Sequence, residues 1–101
     1  MFKVDINQKE NEVVVTLTGE FDNIATTEMG DTLDRAIALA GGKVVVECRE
    51  MEYISSSGLR FFMQMKRASE QQGGSIVVRN LNEDVEEIFR LSGFHHIFTI
   101  E

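Results

Sequence analysis

Three consecutive serines, Ser55, Ser56 and Ser57, are the side chains whose type and spacing best suit chemistry in this sequence. They stand between a run of valines, typical of a buried strand, and a segment with helical spacing of apolar residues. Sites of open α/β sheets gather at the carboxyl ends of strands, and helix N-termini attract anions. Serine is also among the best N-cap residues, so one hydroxyl could serve only the helix. The residues alone favour neither use.

A nucleophilic serine enzyme is the sharper alternative, with Ser56 or Ser57 attacking and His95 or His96 as the base. The sequence has no G-x-S-x-G elbow, and no lysine follows a serine of the run by three positions. We expect the two adjacent histidines to lie at the surface, before the last strand, and to point in divergent directions. These observations predict a chain with no catalytic residue, which is not an enzyme.

Cys48 is the only cysteine, so an internal disulfide is excluded. One cysteine and two neighbouring histidines match none of the usual metal-ligand spacings. Because Cys48 follows a run of valines, we expect a small buried side chain rather than a reactive thiol. The sequence therefore predicts neither a metal nor another cofactor.

The elements that must position the serines follow from hydrophobic periodicity. Alternating apolar residues near 2–6 and a β-branched, apolar run at 13–17 predict the two strands of a hairpin, with Gly19 ending the second strand and 20–23 forming a polar connection. Apolar residues at intervals of three or four predict a helix over 24–40, capped by Thr26 or Thr27 and stopped by Gly41-Gly42. The β-branched segment 43–48 is typical of a central strand.

The second half repeats this alternation. A helix is expected from the serine run to Gly73-Gly74, then a strand over 75–78, a helix capped by Asn82 and ended by Gly93, and a last strand over 97–100. The order ββαβαβαβ predicts one α/β domain over residues 1–101. Its β-α-β crossovers should pair strands in parallel, in a mixed, mostly parallel sheet packed with helices.

Charge excludes several classes of partner. With 17 acidic and 10 basic residues the net charge is −7, which repels nucleic-acid phosphates and anionic membranes. No apolar run approaches the ~20 residues that cross a bilayer, and the N-terminal segment lacks the apolar core of a signal peptide. We expect a cytoplasmic protein that binds other proteins, without membrane insertion.

Several segments together resemble the STAS domain, most closely its single-domain bacterial anti-sigma factor antagonists. The matching segments are Leu17 to Asp22, Tyr53 to Leu59, Gly73-Gly74, and Ile88 to Phe94. The resemblance implies a partner-switching module. Such an antagonist binds an anti-sigma factor, commonly also an ATP-dependent serine kinase, and a PP2C-type phosphatase resets it.

The resemblance also implies which residues act. The phosphorylated hydroxyl of the family falls on Ser56, with Ser57 as the less favoured acceptor. The implied partner-binding residues are Asp22, Asn23, Ser55, Ser56, Ser57, Gly58 and Arg60. A phosphate would add about −1.5 to −2 charge at a helix N-terminus, which locally tolerates an anion.

The chain departs from the family pattern at two places. Ser55 stands where the family often has aspartate, and the sequence stops at Glu101, where the family usually continues into a further helix. An end without that helix would either expose apolar surface and favour a homodimer or reflect a divergent partner. The alternative function is that of an unphosphorylated STAS subunit in a membrane lipid transport ATPase assembly.

Overall fold

The computed structural model describes residues 1–101 as one five-stranded sheet with helices packed on it. Its elements are β1 (Lys3–Gln8), β2 (Glu12–Phe21), α1 (Asn23–Glu28), α2 (Gly30–Ala38), β3 (Lys43–Ile54), α3 (Ser56–Gln71), β4 (Ser75–Arg79), α4 (Glu83–Leu91) and β5 (Thr99–Ile100). The strands lie in sequence order, and only the β1–β2 pair is antiparallel. The predicted α/β class with a mixed, mostly parallel sheet is confirmed.

All the crossover helices lie on one face of this sheet. Right-handed β-α-β connections between strands that follow each other in order place every crossover on the same side. The shortest dimension of the molecule, 19 Å, fits one sheet layer and one helix layer. The core between the layers holds Val44, Val46 and Cys48 of β3, with Phe62 of α3 and Phe89 of α4.

Aromatic rings run through this core from the N-terminus to the C-terminal segment. Every phenylalanine has its ring centroid within 6.2 Å of another, in the order Phe2, Phe21, Phe61, Phe62, Phe89, Phe94 and Phe98. Edge-to-face pairs are favourable beyond the area that they bury. The end of β2 is thereby fixed against the start of α3, where the serines lie.

The prediction that Gly19 ends the second strand was wrong. Strand β2 continues to Phe21, which is fully buried. Gly19 has a positive φ of 92°, and a Cβ there would lie 2.3 Å from the carbonyl oxygen of Met1. The glycine therefore lets the N-terminal chain cross close to the strand instead of stopping it.

The predicted single helix over 24–40 is interrupted. Met29 leaves the helical region, with φ −106° and ψ 18°, and α2 begins at Gly30. Glycine is a poor residue for a helix interior, so a break costs little here. Leu33 still faces the core, as the periodicity indicated, and Ala36, which the predicted face did not include, is buried as well.

The predicted caps of this helix were also wrong. Thr26 donates its hydroxyl to the carbonyl oxygen of Asp22, and Thr27 donates to that of Asn23, so both lie inside α1. The N-cap is Asp22, whose carboxylate accepts from the backbone N–H of Ala25 at 2.8 Å. Aspartate favours this position because it satisfies an otherwise unpaired N–H group.

The C-terminal half follows the prediction more closely. Asn82 caps α4, accepting from the backbone N–H of Val85 at 2.8 Å. Strand β5 is shorter than predicted, since it covers only Thr99–Ile100. His95 and His96 are exposed, as predicted, in a 3₁₀ turn. Their ring centroids lie 3.9 Å apart, so the prediction that they diverge was wrong.

Candidate functional site

Two strand-to-helix connections meet at the carboxyl edge of the sheet. Phe21, the last residue of β2, pairs with Ile54, the last residue of β3. The backbone N–H of Ser55 donates to the carbonyl oxygen of Phe21 at 2.8 Å, which extends this pairing into the connection. As a result, the N-termini of α1 and α3 lie side by side, and Asp22 and Asn23 adjoin the serine run.

Ser55 is the N-cap of α3. Its backbone is extended, with φ −97° and ψ 178°, and its hydroxyl oxygen accepts from the backbone N–H of Gly58 at 3.4 Å. The bond is long for its type, but it gives one of the unpaired N–H groups at the helix start a partner. Of the three serines, Ser55 is therefore the one that caps the helix.

Ser57 joins the two connections. Its hydroxyl donates to the side-chain oxygen of Asn23 at 2.5 Å, across 34 residues of sequence. Ser57 is half-buried, whereas Asn23 is exposed. The bond ties the first turn of α3 to the first turn of α1 and occupies the Ser57 hydroxyl proton.

Ser56 differs from both neighbours. It is the first residue of α3 and is exposed, and its hydroxyl takes part in none of the side-chain hydrogen bonds that hold Ser55 and Ser57. At this position the positive end of the macrodipole of a 16-residue helix adjoins the side chain. Ser56 therefore offers a free hydroxyl in surroundings that tolerate negative charge.

Gly58 lies beneath the surface and not among the exposed residues of the run. A Cβ on Gly58 would lie 2.7 Å from the Cγ1 atom of Ile54 and 3.0 Å from the ring of Phe21. Glycine therefore permits the close approach of α3 to the ends of β2 and β3. Its contribution to the site is to set the height of the serines above the sheet.

Arg60 is exposed one turn further along α3 and lines a groove between α3 and the α1–α2 pair. The groove has a volume of about 230 Å³ and also includes Ser57. Its apolar lining comes from Leu33, Ile37 and Phe61. The structure thus brings Asp22, Asn23 and the serines together, with Arg60 at their border.

Two exposed apolar residues beside the serines were missed by the sequence reasoning. Ile24, next to Asn23, is 66% exposed, and Tyr53, two residues before Ser55, is 46% exposed. Large exposed apolar side chains next to polar ones are common where proteins bind each other. The available signal was their position, since each lies two residues from a helix N-cap, Ile24 from Asp22 and Tyr53 from Ser55.

Cys48 lies away from this edge. Its side chain is fully buried within the core, as predicted. Burial raises the pKa of the thiol, and the nearby Glu47 carboxylate raises it further. The thiol therefore stays protonated at neutral pH, which fits a small apolar residue rather than a nucleophile.

No helix of the structure is both long enough and apolar enough to cross a membrane. Solved proteins share the fold. An anti-sigma factor antagonist from Mycobacterium paratuberculosis superposes with a TM-score of 0.84 at 16% identity, over 99% of this chain and 85% of that one. The unphosphorylated antagonist SpoIIAA superposes with a TM-score of 0.70 at 18% identity, over 100% of this chain and 87% of that one.

Relatives by sequence cover nearly the whole chain. The chain is similar to the anti-sigma-B factor antagonist of Bacillus subtilis (strain 168), with 29% identity over 96% of this chain and 88% of that protein. It is also similar to the anti-sigma F factor antagonist of Paenibacillus polymyxa, with 23% identity over 97% of this chain and 85% of that protein. The family model described as "Mlab, STAS domain" matches residues 4–100. Because this match spans almost every residue and the fold agrees with it, the chain belongs to the STAS domain family.

Proposed function

We propose that the chain is an anti-sigma factor antagonist that binds its anti-sigma factor through the carboxyl edge of the sheet and is switched by phosphorylation of Ser56. Relatives at 29% and 23% identity are named anti-sigma factor antagonists. The observation that carries the proposal is the state of Ser56. It has the only hydroxyl of the run that is both exposed and free of a partner within the chain.

The recognition surface combines polar and apolar groups. Asn23 and Ser56 are exposed at its centre, with Ile24 and Tyr53 beside them and Arg60 at its border. Apolar side chains supply area that a partner can cover, while the hydroxyl and amide groups can form hydrogen bonds that fix the orientation of the partner. We propose that the unmodified surface fits the anti-sigma factor, as the names of the relatives suggest.

Phosphorylation would change this surface without disturbing the fold. A kinase would form a bond between the Ser56 oxygen and the γ-phosphorus of ATP, with ADP leaving and the hydroxyl proton passing to solvent or to a base of the kinase. The resulting dianion would gain from the α3 N-terminus. A partner that had accepted a neutral hydroxyl would face desolvation and repulsion, and a loss of ~3 kcal/mol already lowers affinity more than a hundredfold.

One solved structure and one contact within this chain support the switch. A solved form of SpoIIAA, with a TM-score of 0.70 at 20% identity, is described as phosphorylated. In this chain Ser57 is held by Asn23, which leaves Ser56 as the better acceptor. We propose that a serine kinase adds the phosphate, that a PP2C-type phosphatase removes it by hydrolysis, and that the chain itself performs no turnover.

The test is capture of the partner from a lysate of the native host, with identification by mass spectrometry. Wild type and Ser56→Ala should retain an ATP-binding anti-sigma factor, whereas Ser56→Asp should lose it by about a hundredfold in affinity. Ser75→Asp is the matched control, because Ser75 is exposed at the opposite edge of the sheet. Equal retention by Ser56→Asp would refute the switch.

The same capture tests the alternative function. A membrane transport ATPase found in place of an anti-sigma factor, and bound equally by wild type and Ser56→Asp, would contradict the proposal. Intact-mass analysis of the chain from its native host adds an independent measure. A mass increase of one phosphate located at Ser56 is the expected result.

A further inference from the structure

Val45 is fully buried, yet it does not belong to the core between the sheet and the helices. Its neighbours Val44 and Val46 do belong to that core. Because side chains alternate along a strand, Val45 points to the face of the sheet opposite the helices. We call this surface the helix-free face. Its central row, read across the paired strands, consists of Asn7, Val14, Val45, Val77 and Thr99.

The valines of this row form a small apolar strip. Val14 and Val77 are half-buried on either side of Val45, which they help to shield. No helix lies on this side to cover them, because every crossover is on the other face. Antiparallel sheets often expose one face to water, but parallel strands are usually covered on both faces. The exposed parts of Val14 and Val77, on either side of the shielded Val45, are thus apolar area that no other element of the chain covers.

Charges flank the strip in an ordered way. Toward the amino ends of the strands the next row contains Glu12 and Lys43, whose ammonium lies 3.7 Å from the Glu12 carboxylate. Toward the carboxyl ends the next row contains Thr16, Glu47 and Arg79. On the central strand, β3, the row is therefore bounded by a cation at one end and an anion at the other.

We propose that a second copy of this chain binds the helix-free face, with the twofold axis along the central row. This axis is perpendicular to the strands. Each strand therefore lies across the interface from the same strand of the second copy and runs in the opposite direction. Lys43 of one copy then faces Glu47 of the second copy, and the same pair occurs again by symmetry. The valine strips meet between these pairs, and apolar area is buried there.

Charge complementarity selects this axis over the other face-to-face arrangement. A twofold axis parallel to the strands would set Lys43 against Lys43 and Glu47 against Glu47, since both belong to the central strand. Like charges brought together in this way oppose association, whereas opposite charges fix the register. The proposed dimer leaves the carboxyl edge with Ser56 open, so it stands or falls independently of the proposed function.

The experiment is sedimentation equilibrium of the full chain over micromolar to millimolar concentration, with a double-variant charge exchange. Wild type should show a concentration-dependent monomer–dimer equilibrium. Lys43→Glu and Glu47→Lys should each weaken the dimer by at least about tenfold, because each sets like charges against each other. The double variant should regain most of the lost dimer affinity, because it again places opposite charges against each other, with their signs exchanged.

A second pair of variants tests the apolar strip without using these charges. Val14→Lys should abolish the dimer, whereas Ala38→Lys, which adds the same charge at an exposed position of α2, should leave it unchanged. Circular dichroism of each variant verifies the fold. A wild type that stays monomeric at millimolar concentration overturns the proposal and leaves this face for a partner of another sequence. A dimer that persists in folded Val14→Lys overturns it as well.

Discussion

At its N-terminus, α3 carries Ser56 exposed and without a partner, and in its last turn it carries Ser69, which is fully buried and donates its hydroxyl to the carbonyl oxygen of Gly42 at 3.2 Å. Each end also has a glycine that packs closely, Gly58 at the start and Gly74 just beyond the end. The two ends thus use the same residue types. What differs is the chain packed over them, because the α2–β3 connection covers Ser69 and no segment covers Ser56. The availability of a hydroxyl is therefore set by the neighbouring connection and not by residue type.

The largest effect is expected when serine is replaced by aspartate at each of the two positions. Ser69→Asp should lower the free energy of unfolding by about 3–5 kcal/mol, since it buries a carboxylate beside a carbonyl oxygen with no cation to pair it. Ser56→Asp should leave the free energy of unfolding within about 0.5 kcal/mol of wild type. Urea unfolding followed by circular dichroism measures both. A small loss at Ser69 would show that this end opens easily to water.

The two glycines give a smaller contrast in the same direction. In Gly74→Ala the new Cβ would lie 2.1 Å from the backbone oxygen of Gly42, which cannot move alone, so we expect a loss of about 2–3 kcal/mol. In Gly58→Ala the nearest atom is a side-chain carbon of Ile54 at 2.7 Å. That carbon can shift, and alanine favours the helix, so a loss of about 1 kcal/mol is expected.

Thermal and urea unfolding of both variants checks the order of these losses. Gly30→Ala is the matched control, because no atom lies within 4 Å of a Cβ at that position. It should be neutral or slightly stabilising. Equal losses at Gly58 and Gly74 would mean that the start of α3 is packed as rigidly as its end.

Local signals in the sequence predicted most of the fold. The valine run at 44–46, the alternation in 2–6 and the β-branched run at 13–17 identified strands that the structure contains, because the spacing of apolar residues reflects which faces of a strand are buried. The cap at Asn82 was also identified, since the bond to Val85 is local. The serine run was recognised as the start of a helix for the same reason.

Features that depend on distant residues could not be predicted. Gly19 lies within a strand because the backbone of Met1 crosses close to it, where a side chain would not fit. Nothing near Gly19 in the sequence indicates this crossing. The bond from Ser57 to Asn23 spans 34 residues. That bond, together with the cap at Ser55, distinguishes the three serines from one another. The sequence could thus identify the candidate site but not which hydroxyl in it is free.

The smallest expected effect concerns Ser56→Asp at low ionic strength, where we expect a gain of about 0.3–0.5 kcal/mol in the free energy of unfolding because the carboxylate lies at the N-terminus of α3. The gain should disappear at high salt, which screens an exposed charge. Ser75→Asp is the control, since Ser75 is exposed but begins a strand and should show no such gain. Urea unfolding at two salt concentrations measures both variants. A loss above 1 kcal/mol in Ser56→Asp would instead give the hydroxyl a structural role. If the gain is found in a variant that also loses the partner, the charge acts on recognition alone, because a less stable fold could not account for the lost binding.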